Sequence, residues 1–210
     1  MSMFQLMMQD VYTQKKNAYF TPLFLLPLML SNSGGVRIFG FFVIVGLLGY
    51  MMASYSHYGT EESDRMRHRL LLSLPVGRRS VVAAKYVMVG FWWMLAFVFG
   101  AILFSVVSVI FGDGVGLSFF PRSIIPSLCI TYLFTSIDLP VYYKFGHKVS
   151  QIVGMALVFT SMIGFVTWVA QTRLLPVFLK QPVLFLVIVT LIVTTVSYFL
   201  SLRIFEKKNF

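Results

Sequence analysis

EESDRMRHRLLLSLPVGRR, residues 61–79, is the one long charged passage in an otherwise apolar chain. Thr60 precedes it in the position of a helix N-cap, and its hydroxyl can accept a bond from a first-turn N–H. Glu61 and Glu62 follow in the first turn, where negative charge meets the positive end of the helix dipole. The passage therefore has the sequence features of a helix start.

A narrow apolar stripe runs along this predicted helix. Met66, Leu70 and Leu74 recur every four residues, and Pro75 then removes a backbone donor and ends the helix. Two interpretations follow. The passage is either a solvated loop between two membrane helices, or a docking helix over residues 61–74 that is offered to a soluble partner.

Composition identifies an integral membrane protein. Hydrophobic residues make up 58% of the 210 residues and charged residues only 11%, with mean hydropathy +0.85. The net charge of +10 is dispersed among apolar segments, and no zinc-finger or RNA-binding pattern accompanies it. We therefore expect the bases to bind lipid headgroups and to set the orientation in the membrane, with no nucleic acid as partner.

Cys129 is the single cysteine and lies in an apolar run, so we expect a free thiol.

Six apolar segments predict an all-α, polytopic membrane protein, since a bilayer crossing needs about 20 residues. The predicted transmembrane helices are residues 18–33, 37–56, 81–111, 120–139, 149–170 and 182–202. Gly46 and Gly49 in the second of these mark places where another helix can approach closely. Neither an internal repeat nor a long linker is visible, so residues 1–210 are expected to form a single transmembrane domain.

The N-terminal segment is predicted to be an interfacial elbow helix over residues 3–16. One face of such a helix carries Phe4, Met7, Met8, Val11 and Tyr12. The competing interpretation makes residues 18–33 a cleavable signal peptide, because Lys15 and Lys16 precede the apolar run. The long amphipathic lead and the two prolines within 18–33 favour a retained helix.

Counting bases orients the six predicted spans, because cytoplasmic loops are enriched in Lys and Arg. One side receives four bases, Arg37, Arg122, Arg173 and Lys180, and the other side receives the remaining 13 of the 17. Both termini and residues 61–79 are therefore predicted to face the cytoplasm.

Other function classes find less support in the residues. Ion-coupled carriers place acids inside their spans, whereas the seven acids here fall at or outside predicted span ends. Asp138 comes closest to an exception, and we expect it to order the turn that follows. The three histidines show no metal-ligand spacing, and no catalytic grouping is present. We therefore predict no catalytic, cofactor-binding or metal-binding residue. A carrier or channel, or an assembly or sensory protein, is retained as the alternative.

Two motifs carry a family resemblance. LLSLPVGRR at residues 71–79 is followed by VAAKY at 82–86, and LPVYYKFG stands at 139–146. In this order they resemble the bacterial ABC-2 type transporter permeases, in particular the small six-helix membrane subunits. Such a resemblance implies an export permease in the bacterial cytoplasmic membrane, and it does not identify the substrate. An amphipathic cargo such as a peptide, lipid or hydrophobic drug suits a pathway lined by Phe, Met and Val.

The resemblance also implies partners and contact residues. Residues 61–74 become the coupling helix that binds a separate ATPase subunit, on which ATP and Mg²⁺ are held; this chain itself has no phosphate-binding loop. The contact residues implied are Glu61, Glu62, Arg65, Met66, Arg69, Leu70, Leu74 and Pro75, followed by Tyr142, Tyr143, Lys144, Phe145 and Gly146 as a second cytoplasmic contact. The second group can equally be a simple basic turn. A second permease subunit, identical or paralogous, and the lipid bilayer complete the implied partners.

Overall fold

The computed structural model describes residue 11 and residues 36–55, 78–110, 119–170 and 183–207. These residues form five long helices, which are α1 (Val36–Tyr55), α2 (Arg78–Ile110), α3 (Phe119–Phe145), α4 (His147–Ala170) and α5 (Val183–Lys207). No strand occurs in these ranges, so the predicted all-α class is confirmed for them. The predicted coupling helix, the first predicted span and all of the elbow helix except Val11 lie outside the described residues.

Three of the helices contain segments long and apolar enough to cross a membrane: Arg79–Val106, Ser123–Phe145 and Val183–Lys207. A further apolar helical segment, Phe41–Tyr55, is shorter. These findings establish a helical membrane protein, while the total of six spans remains a prediction.

Two helix ends differ from the predicted boundaries by five residues or more. α3 does not end at residue 139 but continues through Pro140 to Phe145. α5 continues past residue 202 to Lys207, so the basic tail is helical up to that residue. Both extensions belong to the same end of the bundle and shape the candidate site described below.

α1 and α3 form the centre of the bundle. α2 packs against α1, α5 packs against α3, and α4 packs mainly against α3. A core of buried side chains fills the space between α1 and α2; it includes Phe41, Val45, Leu48, Met52, Trp92 and Ala96, and Val11 packs against its edge.

α1 approaches α3 closely at two glycines. A Cβ atom at Gly46 would lie 2.7 Å from Ile130 Cβ, and one at Gly49 would lie 2.8 Å from Thr131 Oγ1. Because the two helices are this close, the Thr131 hydroxyl donates a 2.9 Å hydrogen bond to the Gly46 carbonyl. The close helix approach predicted at Gly46 and Gly49 is therefore confirmed.

α5 is joined to the bundle by a seam of hydroxyl groups. Tyr86 Oη on α2 lies 2.7 Å from Ser197 Oγ and 3.2 Å from Ser201 Oγ. On the neighbouring side, Ser136 Oγ on α3 donates to Thr194 Oγ1 at 3.2 Å. We call these five residues the hydroxyl seam.

Pro140, one of two prolines inside α3, explains a further hydrogen bond of Ser197. Pro140 has no N–H, so the carbonyl of Ser136, four residues earlier, loses its helical donor. Ser197 Oγ donates to that carbonyl at 2.6 Å. Because a membrane interior offers no water to satisfy a freed carbonyl, a hydroxyl from a neighbouring helix permits α3 to continue through Pro140 near its C-terminal end.

We predict that Ser197→Ala destabilises the folded chain mainly because it orphans the Ser136 carbonyl, at a cost of about 1–3 kcal/mol. Pro140→Ala restores an N–H to that carbonyl, so the cost of Ser197→Ala should be smaller in the Pro140→Ala background. Unfolding in detergent measures both costs.

Thr195→Ala is the matched control for this prediction. The Thr195 hydroxyl is exposed and bonds the Leu191 carbonyl of its own helix at 2.7 Å, so its removal should have little effect. Equal costs of Ser197→Ala with and without Pro140 would contradict the explanation.

Candidate functional site: the basic end of the bundle

One end of the bundle gathers an end of every described helix. Four contacts establish this: Ser54 with Asp138, Asp138 with Ser150, Tyr143 with Phe205, and Arg79 with Glu206. α1, α3 and α5 therefore end where α2 and α4 begin. α1 ends before the charged passage and α2 begins at Arg78 within it, and these two adjoining helix termini both lie here.

Positive charge is concentrated at this end. The described helices contain nine Lys and Arg residues. Seven of them lie at this end: Arg78, Arg79, Lys85, Lys144, Lys148, Arg203 and Lys207. Arg37 and Arg122 are at the opposite end. We call this region the basic end, and its charge excess matches the side predicted to be cytoplasmic.

A single residue, Gly146, connects α3 to α4. Its φ of 85° is a left-handed conformation that glycine adopts without a Cβ penalty. The Gly146 N–H donates to the Tyr142 carbonyl at 2.9 Å, and the Ser150 N–H donates to the Gly146 carbonyl at 3.2 Å. The two helices thus meet at a sharp hydrogen-bonded corner, which we call the α3–α4 corner.

The predicted second contact divides between the interior and the surface. Tyr142 and Tyr143 are only 7% and 4% exposed, and the Tyr143 ring centroid lies 5.4 Å from that of Phe205 on α5. Phe145, in contrast, is 57% exposed, and Lys144 Nζ lies 4.9 Å from the centroid of its ring. The corner therefore presents Lys144 and Phe145 outward, while the tyrosines hold α3 against α5.

A buried carboxylate lies two turns before the corner. Asp138 is 1% exposed. Its Oδ1 accepts a 2.5 Å hydrogen bond from Ser150 Oγ on α4, and its Oδ2 accepts a 3.2 Å bond from Ser54 Oγ on α1. The Tyr50 hydroxyl lies close to the same carboxylate. Hydroxyls of α1 and α4 thus converge on one acid of α3, and we call this group the Asp138 node.

Sequence reasoning predicted only part of this node. It expected Asp138 to order the following turn, which the bond to Ser150 does, but missed the bond to α1. The sequence signal for a buried contact was a carboxylate two residues before a proline in an apolar run. Because α3 continues through Pro140, Asp138 lies inside the bundle. Within the described ranges, no group of three or more His, Cys, Asp or Glu residues could hold a metal ion.

The predicted coupling-helix contacts, Glu61, Glu62, Arg65, Met66, Arg69, Leu70, Leu74 and Pro75, lie outside the described residues. Their contact role stays a prediction.

Comparison with known families gives one match. The family model described as ABC-2 family transporter protein matches residues 5–206. No curated protein and no solved structure matches the chain.

We predict that Gly146→Ala destabilises the α3–α4 corner. A Cβ at Gly146 meets nothing within 4 Å, so the cost arises from the positive φ alone and should be about 1–2 kcal/mol. Gly164→Ala in α4 is the matched control, because its Cβ also meets nothing within 4 Å but no positive φ is involved.

Thermal unfolding in detergent should give a lower Tm for Gly146→Ala and an unchanged or higher Tm for Gly164→Ala, since alanine favours a helix interior. Equal shifts would rule out backbone conformation as the reason for glycine at the corner.

Proposed function

Because the chain belongs to the ABC-2 transporter family, whose members are membrane subunits of transport systems, we propose that it is the permease subunit of an ATP-driven exporter. The family match over residues 5–206 is the observation that carries this proposal. Two six-helix subunits, identical or paralogous, would form the pathway at their interface. The cargo class that suits an apolar pathway is an amphipathic peptide, lipid or hydrophobic drug.

The basic end is the proposed docking surface for the ATPase. α1 ends and α2 begins there, so the predicted coupling helix, residues 61–74, is attached at both sides to this end. Lys144 and Phe145 are exposed on the same end, and they supply a basic and an apolar contact for a soluble partner. In the proposed orientation this end and both termini face the cytoplasm of a bacterial cell, as the excess of bases indicates.

In this proposal the chain provides no nucleotide site. ATP and Mg²⁺ bind the partner ATPase, and the movement that hydrolysis causes there reaches the bundle through the coupling helix and the α3–α4 corner. A rigid helix that carries a partner's movement into a packed bundle is one established form of coupling.

A carrier or channel that is not driven by ATP remains the second candidate. The observation in its favour is Asp138, an acid buried within a candidate span, because intramembrane acids often hold coupling ions or protons. However, Asp138 accepts hydrogen bonds from hydroxyls on two neighbouring helices. This structural role requires no bound ion.

We predict that Leu70→Asp combined with Leu74→Asp leaves membrane insertion intact but abolishes co-purification with the ATPase and transport. Burying a Leu side chain is worth about 1.5–3 kcal/mol, whereas an exposed ion pair is worth about 0–1 kcal/mol. Two charges placed into the apolar stripe should therefore weaken ATPase binding much more than Arg67→Ala does. The effect of Arg67→Ala on binding and transport should be small.

Leu72→Asp is a control from the same passage, since a helix turns by about 100° per residue and Leu72 falls opposite the stripe. Retention of the ATPase by the double variant would remove residues 61–74 as the coupling helix. ATP hydrolysis by the purified chain alone would argue against the permease assignment itself.

We further predict that a cysteine at position 145 is labelled by an impermeant maleimide only from the cytoplasmic side. Phe145 is exposed and Cys129 is buried, so Phe145→Cys in a Cys129→Ser background provides one accessible thiol. Inside-out vesicles should label and intact cells should not. Labelling of intact cells would reverse the proposed orientation.

A further inference from the structure

The Asp138 node joins three helices at the point where they approach the proposed docking surface. Ser54 is the penultimate residue of α1, and Ser150 lies in the first turn of α4. Asp138 contacts both, one carboxylate oxygen to each. The residue therefore links the end of α1, which leads to the charged passage, with the start of α4, which follows the α3–α4 corner.

A carboxylate is a costly choice for a purely structural contact at this position. Burying a charged group among apolar helices is unfavourable unless hydrogen bonds compensate. Asp138 is almost completely buried, and it accepts hydrogen bonds from the hydroxyls of Ser54 on α1 and Ser150 on α4. What the carboxylate offers over a single hydroxyl is two acceptor oxygens that can hold two donors from different helices at once.

The two backbone hydrogen bonds at the corner lie within four residues of Gly146 and do not connect α4 to α1. Only Gly146 separates α3 from α4, and it is a residue with wide conformational freedom. α4 also has a broad outward face, including Ile152, Met155, Phe159 and Ile163. Contacts near the corner, such as Ser150 with Asp138, therefore matter for the angle between α4 and the rest of the bundle.

We propose that Asp138 is a positioning residue that makes the α3–α4 corner and the end of α1 move as one body, so that displacement of either proposed ATPase contact is relayed to the other. This inference rests on the proposed function for the source of the movement. The link between the helices is a property of the chain alone and is testable without the ATPase.

The first test uses the purified chain in nanodiscs and hydrogen–deuterium exchange. Asp138→Leu should raise amide exchange together in residues 50–55 and 147–152. Loss of one interhelical hydrogen bond should raise the amide exchange rate about threefold, and loss of both should raise it about tenfold. Ser54→Ala should raise exchange chiefly in 50–55, and Ser150→Ala chiefly in 147–152. Asp138→Asn keeps an acceptor and gains donors, so it should retain most of the protection from exchange that Asp138→Leu loses.

Thr131→Val is the matched control. It removes a different α1–α3 hydroxyl bond, the one to the Gly46 carbonyl, and should leave residues 147–152 unchanged. If Thr131→Val loosens 147–152 as much as Asp138→Leu does, the effect is general packing and the specific role of Asp138 is wrong. An Asp138→Leu variant with unchanged exchange in both segments overturns the proposal as well.

The second test adds the ATPase and compares exchange with and without ATP plus vanadate. In the wild-type complex the nucleotide should change exchange in both segments. In Asp138→Leu the ATPase should still bind, but the change should appear in one segment and be absent from the other. Persistence of both changes would refute the relay. Failure of the wild-type chain to bind an ATPase would instead refute the proposed function, and the first test would still decide whether Asp138 links the helices.

Discussion

Satisfying every backbone hydrogen bond without water is the constraint on which this bundle depends. Pro140 breaks the internal ladder of α3, and the Ser136 carbonyl that it frees is satisfied by Ser197 of α5. That bond is one of several contacts between α3 and α5, and the Ser197 hydroxyl also lies 2.7 Å from Tyr86 Oη of α2. One missing N–H is thus compensated by a contact that organises three helices, and the same contact allows α3 to continue to its corner with α4.

The contacts of α3 with α1 and of α5 with its neighbours rely on small and polar groups, whereas α1 and α2 pack through large apolar side chains such as Phe41 and Trp92. Lipid chains are as apolar as Leu, so apolar side chains gain little by leaving lipid for another helix. The helix contacts accordingly use Gly46, Gly49 and Thr131 between α1 and α3, and the hydroxyl seam around α5. Many large apolar side chains instead face outward, among them Met94, Ile102, Phe159, Leu184 and Leu191.

The helical membrane class, the approximate positions of the five described helices and the close approach at Gly46 and Gly49 could be predicted from the sequence, because they follow from local composition and residue size. The sequence did not allow the end of α3 to be placed. Proline normally ends a helix, and the compensating hydroxyl lies 61 residues away in the chain. The second half of the Asp138 node was missed for the same reason, since Ser54 is separated from Asp138 by 84 residues. Because the helix continues, Tyr142 and Tyr143 face inward. The motif alone had placed them in the same predicted cytoplasmic contact as Lys144 and Phe145.

The Arg79–Glu206 ion pair contributes little to the assembly of the basic end. The Arg79–Glu206 pair is 3.7 Å long, with the Arg79 side chain 80% exposed, and exposed pairs of this kind contribute about 0–1 kcal/mol. Other contacts between these helix ends involve no base: Tyr143 packs against Phe205, and the hydroxyls of Ser54 and Ser150 donate to Asp138. Charge and structure are therefore separable here. The bases can be devoted to orientation in the membrane and to a soluble partner, because removing them individually leaves the aromatic and hydroxyl contacts in place.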